Sequence, residues 1–309
     1  MDPKNKKLIF PSAKQVVLTS FLVDVSDILL SLLVTILTGS VIMLVEVLEG
    51  ISDFVASGAL VIGVNRAKSQ PDKQFPFGYG REVYFWTFIS AMIIIGITAT
   101  FSLYFGWDRF LHPHKIQNIA LAYAVLTITT LTNAYAFILS VIRLRAKTNT
   151  INILSAFFRS SLIETKTTFV LDFVGTSASL VGLLALIFYQ LTGDRRLDGL
   201  GAMGVGVILV VFGVLLILGI RDLVIGKSAS PETLSLIRKV ALENPEVEDV
   251  IDVKTMHIGS ERLLVNMDIS MKSGLKTHEI AKLIEGIKEK IQKEIPAIKH
   301  IHLELELPS

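Results

Sequence analysis

Six stretches of the chain are almost wholly apolar, and short polar segments separate them. Each is long enough for a helix that crosses a bilayer, which needs about 20 mostly apolar residues. The pattern therefore predicts an all-α domain of six transmembrane helices, at about residues 16–37, 41–64, 83–105, 117–141, 167–191 and 199–220.

The chain from Ser228 onward has a different pattern. A helical stretch around Leu236 is followed by two alternating stretches about a GS turn, a helical stretch near Thr277 and a final alternating KHIHLELEL. This order predicts α-β-β-α-β, a small α+β domain. We therefore expect a six-helix transmembrane domain over residues 1–227 and a hydrated cytoplasmic domain over residues 228–309.

Composition narrows the class of protein. The 309 residues are 51% hydrophobic, which is typical of a multi-pass protein embedded in membrane lipid. The net charge of +2 gives no electrostatic support for nucleic-acid binding, so we expect none. Cysteine is absent, HExxH and GxGD motifs are absent, and no predicted span contains a histidine, so we expect no enzyme.

Lysine and arginine divide unequally between the two ends of the predicted spans. Thirteen lie in the N-terminal segment and in the loops after the second and fourth spans, and four lie in the other loops. Because cytoplasmic loops carry the excess of positive charge, both termini are predicted to be cytoplasmic. The first apolar stretch is expected to be retained as a span rather than cleaved as a signal peptide.

Carboxylates inside two of the spans predict an ion site. Glu46, Glu49 and Asp53 lie on one stripe of the second span, and the fifth span carries Thr168 and Asp172 one turn apart. An acid near the bilayer centre costs about 3 kcal/mol, so such acids usually have a function. Oxygen donors suit a hard or borderline divalent cation. The alternative is that these acids lie near a helix end or pair with a buried base.

The first span carries two further acids, Asp24 and Asp27. One interpretation is that they carry protons or form an entry site for the ion. The other is that they form a water-facing polar stripe or hydrogen-bond a neighbouring helix. Both interpretations stay open on the sequence alone.

Five segments of the chain carry a resemblance to a known family: LTGSVIMLVEVLEGISDFVAS, QPDKQFPFGYGREVYFWTFISA, DRFLHP, LIETKTTFVLDFVGTSASLVG and the tail from IGKSASPETLSLIRKV. Together they resemble the cation diffusion facilitators, a family of divalent-metal/proton antiporters. The resemblance covers nearly the whole chain. It implies a homodimeric secondary transporter that exports a divalent cation from the cytoplasm in exchange for protons. The alternative is a transport-impaired metal-binding or regulatory subunit of a related transporter.

The resemblance also implies a ligand set. The family's metal-binding positions fall on Glu49 and Asp53 in the second helix and on Thr168 and Asp172 in the fifth, with Glu46 or water as a further donor. Family zinc transporters commonly use histidine, so a site of oxygens alone favours Mn²⁺ or Fe²⁺ over Zn²⁺ as cargo, or else forms a less selective pocket. No catalytic cofactor is expected. Since carboxylates in a medium of low dielectric favour their protonated form, protons can replace the metal.

For the tail, the resemblance implies a ferredoxin-like domain that dimerises. His278, His302 and Glu304 match positions at which zinc-regulated members bind metal, and the last two share one side of a strand. The domain therefore either carries a surface metal site there or presents solvated strand-edge residues.

Three other expectations concern the cytoplasmic face. The family's second metal site in the loop after helix two is expected to be absent, because Phe75 and Tyr79 replace its histidines. Arg81 is expected to bind lipid phosphate or a partner subunit. His257 fits no pattern, and we expect it at the surface.

Overall fold

The computed structural model describes residues 13–148 and 163–306, without the side chains of residues 13–24, 146–148 and 164. Each predicted span coincides with a helix, and the ends differ by at most seven residues. These helices are α1 (Ala13–Thr38), α2 (Val41–Arg66), α3 (Glu82–Leu111), α4 (Ile119–Thr148), α5 (Ile163–Thr192) and α6 (Arg196–Ile225). Within the described residues, α2 to α6 are long and apolar enough to cross a bilayer, whereas the apolar helix described in α1 is the shorter Val25–Thr38.

A small α+β domain follows the apolar helices. Strand β2 pairs antiparallel with β1 and parallel with β3, so the sheet order is β1-β2-β3. The hydrophobic core of this domain includes Ile237 and Ile287, one from each helix, and Val265 from the central strand. The elements are α7 (Pro231–Leu242), β1 (Val247–Gly259), β2 (Arg262–Met271), α8 (Thr277–Glu294) and β3 (Ile298–Leu305). The predicted fold class, a helical transmembrane domain followed by an α+β domain, is confirmed.

The contacts divide the chain into two compact units. The first unit is Met1–Ser57, Met92–Phe137 and Leu171–Phe212, and the second unit is Gly58–Ala91, Ile138–Val170 and Gly213–Ser309. The predicted sequence boundary between residues 227 and 228 stays a prediction.

In the first unit, an aspartate of α6 caps the start of α2. Asp198 is fully buried, and Arg109 of α3 donates from Nε to its carboxylate at 2.8 Å. Arg109 also donates from Nη2 to the carbonyl of Gly39 at 2.6 Å. Three donors at the start of α2 bond the same carboxylate at 2.7, 3.0 and 3.2 Å: Ser40 Oγ, Val41 N and Ile42 N. Arg109, which the sequence suggests is a loop charge, therefore belongs to a buried ion pair that fixes α2.

The middle of α2 is held from two sides. Ser52 hydrogen-bonds Thr98, and both side chains are buried. Thr98 lies in a π-helical segment, Ile94–Ala99, that interrupts α3. Gly50 lets α1 approach, because a Cβ at that position would lie 3.0 Å from Ile28 Cγ1. These contacts fix the turns of α2 that carry the acids.

In the second unit, the loop before α3 packs against the β1–β2 hairpin. A Cβ at Gly80 would lie 2.5 Å from the carbonyl oxygen of Ile258, and one at Gly259 would lie 2.8 Å from Gly80 Cα. Arg81 Nη2 lies 3.2 Å from Met256 Sδ of β1. Gly80 is therefore required by close backbone packing, and Arg81 contacts its own chain.

The expectation that His257 lies at the surface is wrong. The residue is 7% exposed, and its Nδ1 has no hydrogen-bond partner among the described residues. Burial, together with the nearby charges of Lys227 and Lys166, lowers the pKa of His257 from 6.5 to about 4. Its imidazole is therefore neutral at physiological pH.

Removal of the α2 cap should destabilise the protein strongly. Asp198→Ala leaves the Arg109 guanidinium buried without its carboxylate, so we expect a loss of about 3–5 kcal/mol in the free energy of unfolding. Asp108→Ala is the control, because its pair with His112 is exposed and such pairs contribute at most about 1 kcal/mol. Thermal unfolding in detergent measures both, and equal melting temperatures would contradict the role of the cap.

Acidification should destabilise the fold partly through His257. The folded-state pKa of about 4 lies below the ordinary 6.5, so the unfolded chain binds the proton more readily. Stability is therefore complete above pH 6.5 and is lost as the pH falls towards 4, by about 3 kcal/mol for this group. His257→Gln should flatten the pH dependence of the melting temperature over this interval, and exposed His278→Gln should not. Parallel profiles for wild type and His257→Gln would refute this.

Candidate metal site

Four carboxylates line one cavity of about 90 Å³ in the first unit. Asp27 comes from α1, and Glu46, Glu49 and Asp53 come from the acidic stripe of α2. The other lining residues are Ile28, Ser31, Gly50, Thr129 and Asn133. The structure thus gathers the predicted stripe at one cavity and adds Asp27 to it.

Glu49 is the most deeply buried of these acids. Glu49 is only 5% exposed, and its Oε1 has no hydrogen-bond partner among the described residues. The charges of Glu46 and Asp53 act on it as well. A buried, unpaired carboxylate is costly, and neighbouring negative charge increases that cost. A cation in the cavity would offset both effects.

The α5 residues of the predicted site are described separately. Asp172 is half-buried in the first unit, and Thr168, four residues earlier in α5, is half-buried in the second. Asp172 is not among the residues that line the cavity. Across the described residues, no three His, Asp or Glu side chains are positioned to share one metal ion. The ligand set of Glu49, Asp53, Thr168 and Asp172 therefore stays a prediction.

Of the three acids predicted to have accessory roles, the structure describes the side chains of Asp27 and Glu46 but not that of Asp24. Asp24 lies in α1, but its side chain is outside the described part of the chain. Asp27 and Glu46 both line the cavity, and their charges interact. Their role in proton transfer or gating stays a prediction.

Two lining residues, Thr129 and Asn133 of α4, were missed in the sequence analysis. Asn133 also lies against α5, because a Cβ at Gly175 would be 3.0 Å from Asn133 Nδ2. The signal for this residue was present in TLTNAY, where an amide interrupts an otherwise apolar span. An amide inside an apolar helix needs polar partners, so its position could have been flagged.

In the C-terminal domain, the structure pairs two of the three predicted residues. His302 Nδ1 lies 3.3 Å from Glu304 Oε1 and 3.1 Å from Asn266 Oδ1. The side chains of His302 and Glu304 are 70% and 56% exposed, and His278 is exposed near the start of α8. A metal site formed by His278, His302 and Glu304 stays a prediction.

In the loop after α2, the carboxylate of Asp72 forms part of a turn. The carboxylate of Asp72 accepts hydrogen bonds from the Tyr79 hydroxyl and from the backbone N–H groups of Gln74 and Phe75. These bonds, that of Tyr79 above all, lower the pKa of Asp72 below its ordinary value. The carboxylate thus stabilises the turn that leads to α3.

Comparisons with known proteins cover both parts of the chain. A family model described as "Cation efflux transmembrane domain" matches residues 17–219, and one described as "Cation efflux protein, cytoplasmic domain" matches residues 229–307. The human "Proton-coupled zinc antiporter SLC30A9, mitochondrial" is 22% identical over 294 residues, which are 93% of this chain and 52% of that protein. This chain therefore spans about half the length of the SLC30A9 proteins it matches.

Two further proteins are also similar. "Magnetosome protein MamB" of Paramagnetospirillum magneticum is 22% identical over 293 residues, covering 94% of this chain and 93% of that protein. A solved nickel form of a MamM CTD variant is 19% identical, with a TM-score of 0.25, over 26% of this chain and 100% of that one. Since the transmembrane family model alone covers more than half of the residues, this multi-pass membrane protein belongs to the cation efflux family of metal transporters, the cation diffusion facilitators.

Proposed function

We propose that this chain is a secondary transporter that exports a divalent metal cation from the cytoplasm in exchange for protons. The observation that carries the proposal is the buried Oε1 of Glu49, which has no hydrogen-bond partner among the described residues, at a cavity that three further carboxylates line. A transported cation offsets the cost of holding these charges away from water. Membership of the family and the name of the human relative, a proton-coupled zinc antiporter, support the exchange.

The proposed cargo site consists of Glu49 and Asp53 of α2 and Asp172 of α5, and Thr168 or water completes the shell. Their helices rock between inward-open and outward-open states, as in other secondary transporters. When the metal leaves, carboxylates in a medium of low dielectric can bind protons in its place. Asp24, Asp27 and Glu46 serve proton transfer or gating in this scheme.

The proposed arrangement in the membrane has six spans, with both termini in the cytoplasm. The excess of lysine and arginine in the N-terminal segment and in alternate loops supports this orientation. We propose that the C-terminal domain joins two copies of the chain, since it matches the family's cytoplasmic domain.

The proposed cargo is Mn²⁺, Fe²⁺ or Zn²⁺, with the first two favoured. Neither the ligand set nor the lining of the cavity contains a nitrogen from histidine. Sites of carboxylate, amide and water oxygens suit Mn²⁺ better than they suit zinc, which commonly takes histidine or cysteine.

Loss of a proposed ligand should abolish transport. We expect Asp53→Ala and Asp172→Ala each to lower metal flux into proteoliposomes by about 100-fold. Even the loss of a residue that only supports a metal ligand lowers metal affinity or activity by about 10–100-fold. Asp108→Ala, an exposed acid outside the site, is the control. Flux near the wild-type level in both variants would exclude this site.

The same assay tests the alternative function. If the purified wild-type chain binds metal but does not transport it, the chain is better explained as a metal-binding or regulatory subunit of a related transporter.

The donor set also predicts the order of preference among metals. In proteoliposomes with an imposed pH gradient, Mn²⁺ or Fe²⁺ should compete for transport at least as well as Zn²⁺ does. Co²⁺, Cd²⁺ and Mg²⁺ complete the panel. Strict preference for Zn²⁺ would contradict a site built from oxygens alone, and flux that ignores the pH gradient would contradict proton exchange.

A further inference from the structure

Helix α4 brings two uncharged polar side chains to the carboxylate cavity. Thr129 and Asn133 are one helical turn apart, and both line the cavity together with Glu49 and Asp53. The Thr129 hydroxyl donates its proton to the carbonyl of Val125 at 3.0 Å. Its lone pairs therefore remain available as acceptors for another group.

Asn133 connects this cavity with the helix that carries Asp172. A Cβ at Gly175 would lie 3.0 Å from Asn133 Nδ2 and 3.4 Å from its Cγ, so the carboxamide rests directly on the α5 backbone. Gly175 is three residues beyond Asp172, which is the next turn of the same helix. Asn133 thus borders the α2 acids and at the same time contacts the turn that follows Asp172.

The cavity already contains a group that requires a ligand. Glu49 is nine-tenths or more buried, and its Oε1 is unpartnered among the described residues. The volume of about 90 Å³ leaves room for a cation that keeps some of its water. Carboxylate and amide oxygens are the donors that hard divalent cations prefer, and amide carbonyls are regular ligands in such sites.

From this juxtaposition we propose that Asn133 supplies a neutral oxygen ligand to the cargo from α4, with Thr129 beside it. This inference rests on the proposed function and extends its site from two helices to three. The neutral oxygen raises the number of donors without adding charge, which favours a cation of high coordination number such as Mn²⁺ over four-coordinate Zn²⁺. Asn133 is therefore the residue of α4 that sets the choice of metal.

Substitution of Asn133 should change the preference among metals more than it changes transport as a whole. We expect Asn133→Ala to lower the ratio of Mn²⁺ to Zn²⁺ flux by about tenfold or more, the lower range for a lost metal-site interaction. Asn133→Asp keeps an oxygen at the same position, so its ratio should stay within about threefold of wild type. Asn65→Ala, at the exposed end of α2, is the matched control and should leave the ratio unchanged.

Gly175 offers a second test that leaves Asn133 in place. Gly175→Ala puts a methyl group 3.0 Å from the amide and must displace it. The Mn²⁺ to Zn²⁺ ratio should then shift in the same direction as in Asn133→Ala. Gly219→Ala in α6 is the control, because a Cβ there meets no atom within 4 Å.

Calorimetric titration of the purified variants with Mn²⁺ and Zn²⁺ gives a readout that does not depend on flux. Weaker Mn²⁺ binding with little change for Zn²⁺ in Asn133→Ala supports the inference. An equal loss for both ions, or no change in either, overturns it. If Asn133→Ala does not fold, Gly175→Ala decides. Loss of flux in Asp53→Ala and Asp172→Ala with an unaltered ratio in Gly175→Ala would refute the α4 ligand alone. Retained flux in Asp53→Ala and Asp172→Ala would refute the transport site itself.

Discussion

The buried Oε1 of Glu49, which has no hydrogen-bond partner among the described residues, is the constraint on which the rest of the site depends. A buried polar atom without a partner costs free energy, and it stays at the cavity only if its helix cannot rotate away from the cavity. Contacts with other helices fix α2 at its start and at its middle. Asp198 and Arg109 secure its start, and the Ser52 hydroxyl bonds the π segment of α3. Rigid support of this kind holds the buried carboxyl group of Glu49 in position at the cavity.

The elements could be predicted from the sequence because their pattern is strong. Six apolar stretches of about 20 residues have few alternatives to helices in a membrane, and the tail alternates clearly between helix and strand periods. The acidic stripe of α2 was predictable for the same reason, since helical spacing fixes which side chains share a face. Glu46, Glu49 and Asp53 accordingly line one cavity.

What the sequence could not provide are contacts between residues far apart in the chain. Arg109 resembles an ordinary loop charge until Asp198, 89 residues away, is found beside it. His257 seemed a surface residue because nothing local shows that it is buried, or that the charges of Lys227 and of Lys166, near the start of α5, act on it. Gly80 lies in the loop before α3, but the need for glycine there comes from close packing against the hairpin at Ile258 and Gly259. Helical period and residue type do not encode such pairings.

No histidine is among the residues that line the cavity, and this affects how many ligands a metal site there would need. Histidine gives zinc a strong neutral donor, so two helices with four ligands suffice for a tetrahedral shell. A site with oxygens alone needs more donors, and additional carboxylates would add repulsion to charges that already act on Glu49. Neutral oxygens resolve this conflict, and Thr129 and Asn133 are the neutral oxygens that α4 brings to the cavity. The lack of histidine among the residues that line the cavity and the position of Asn133 thus both support the proposed three-helix site.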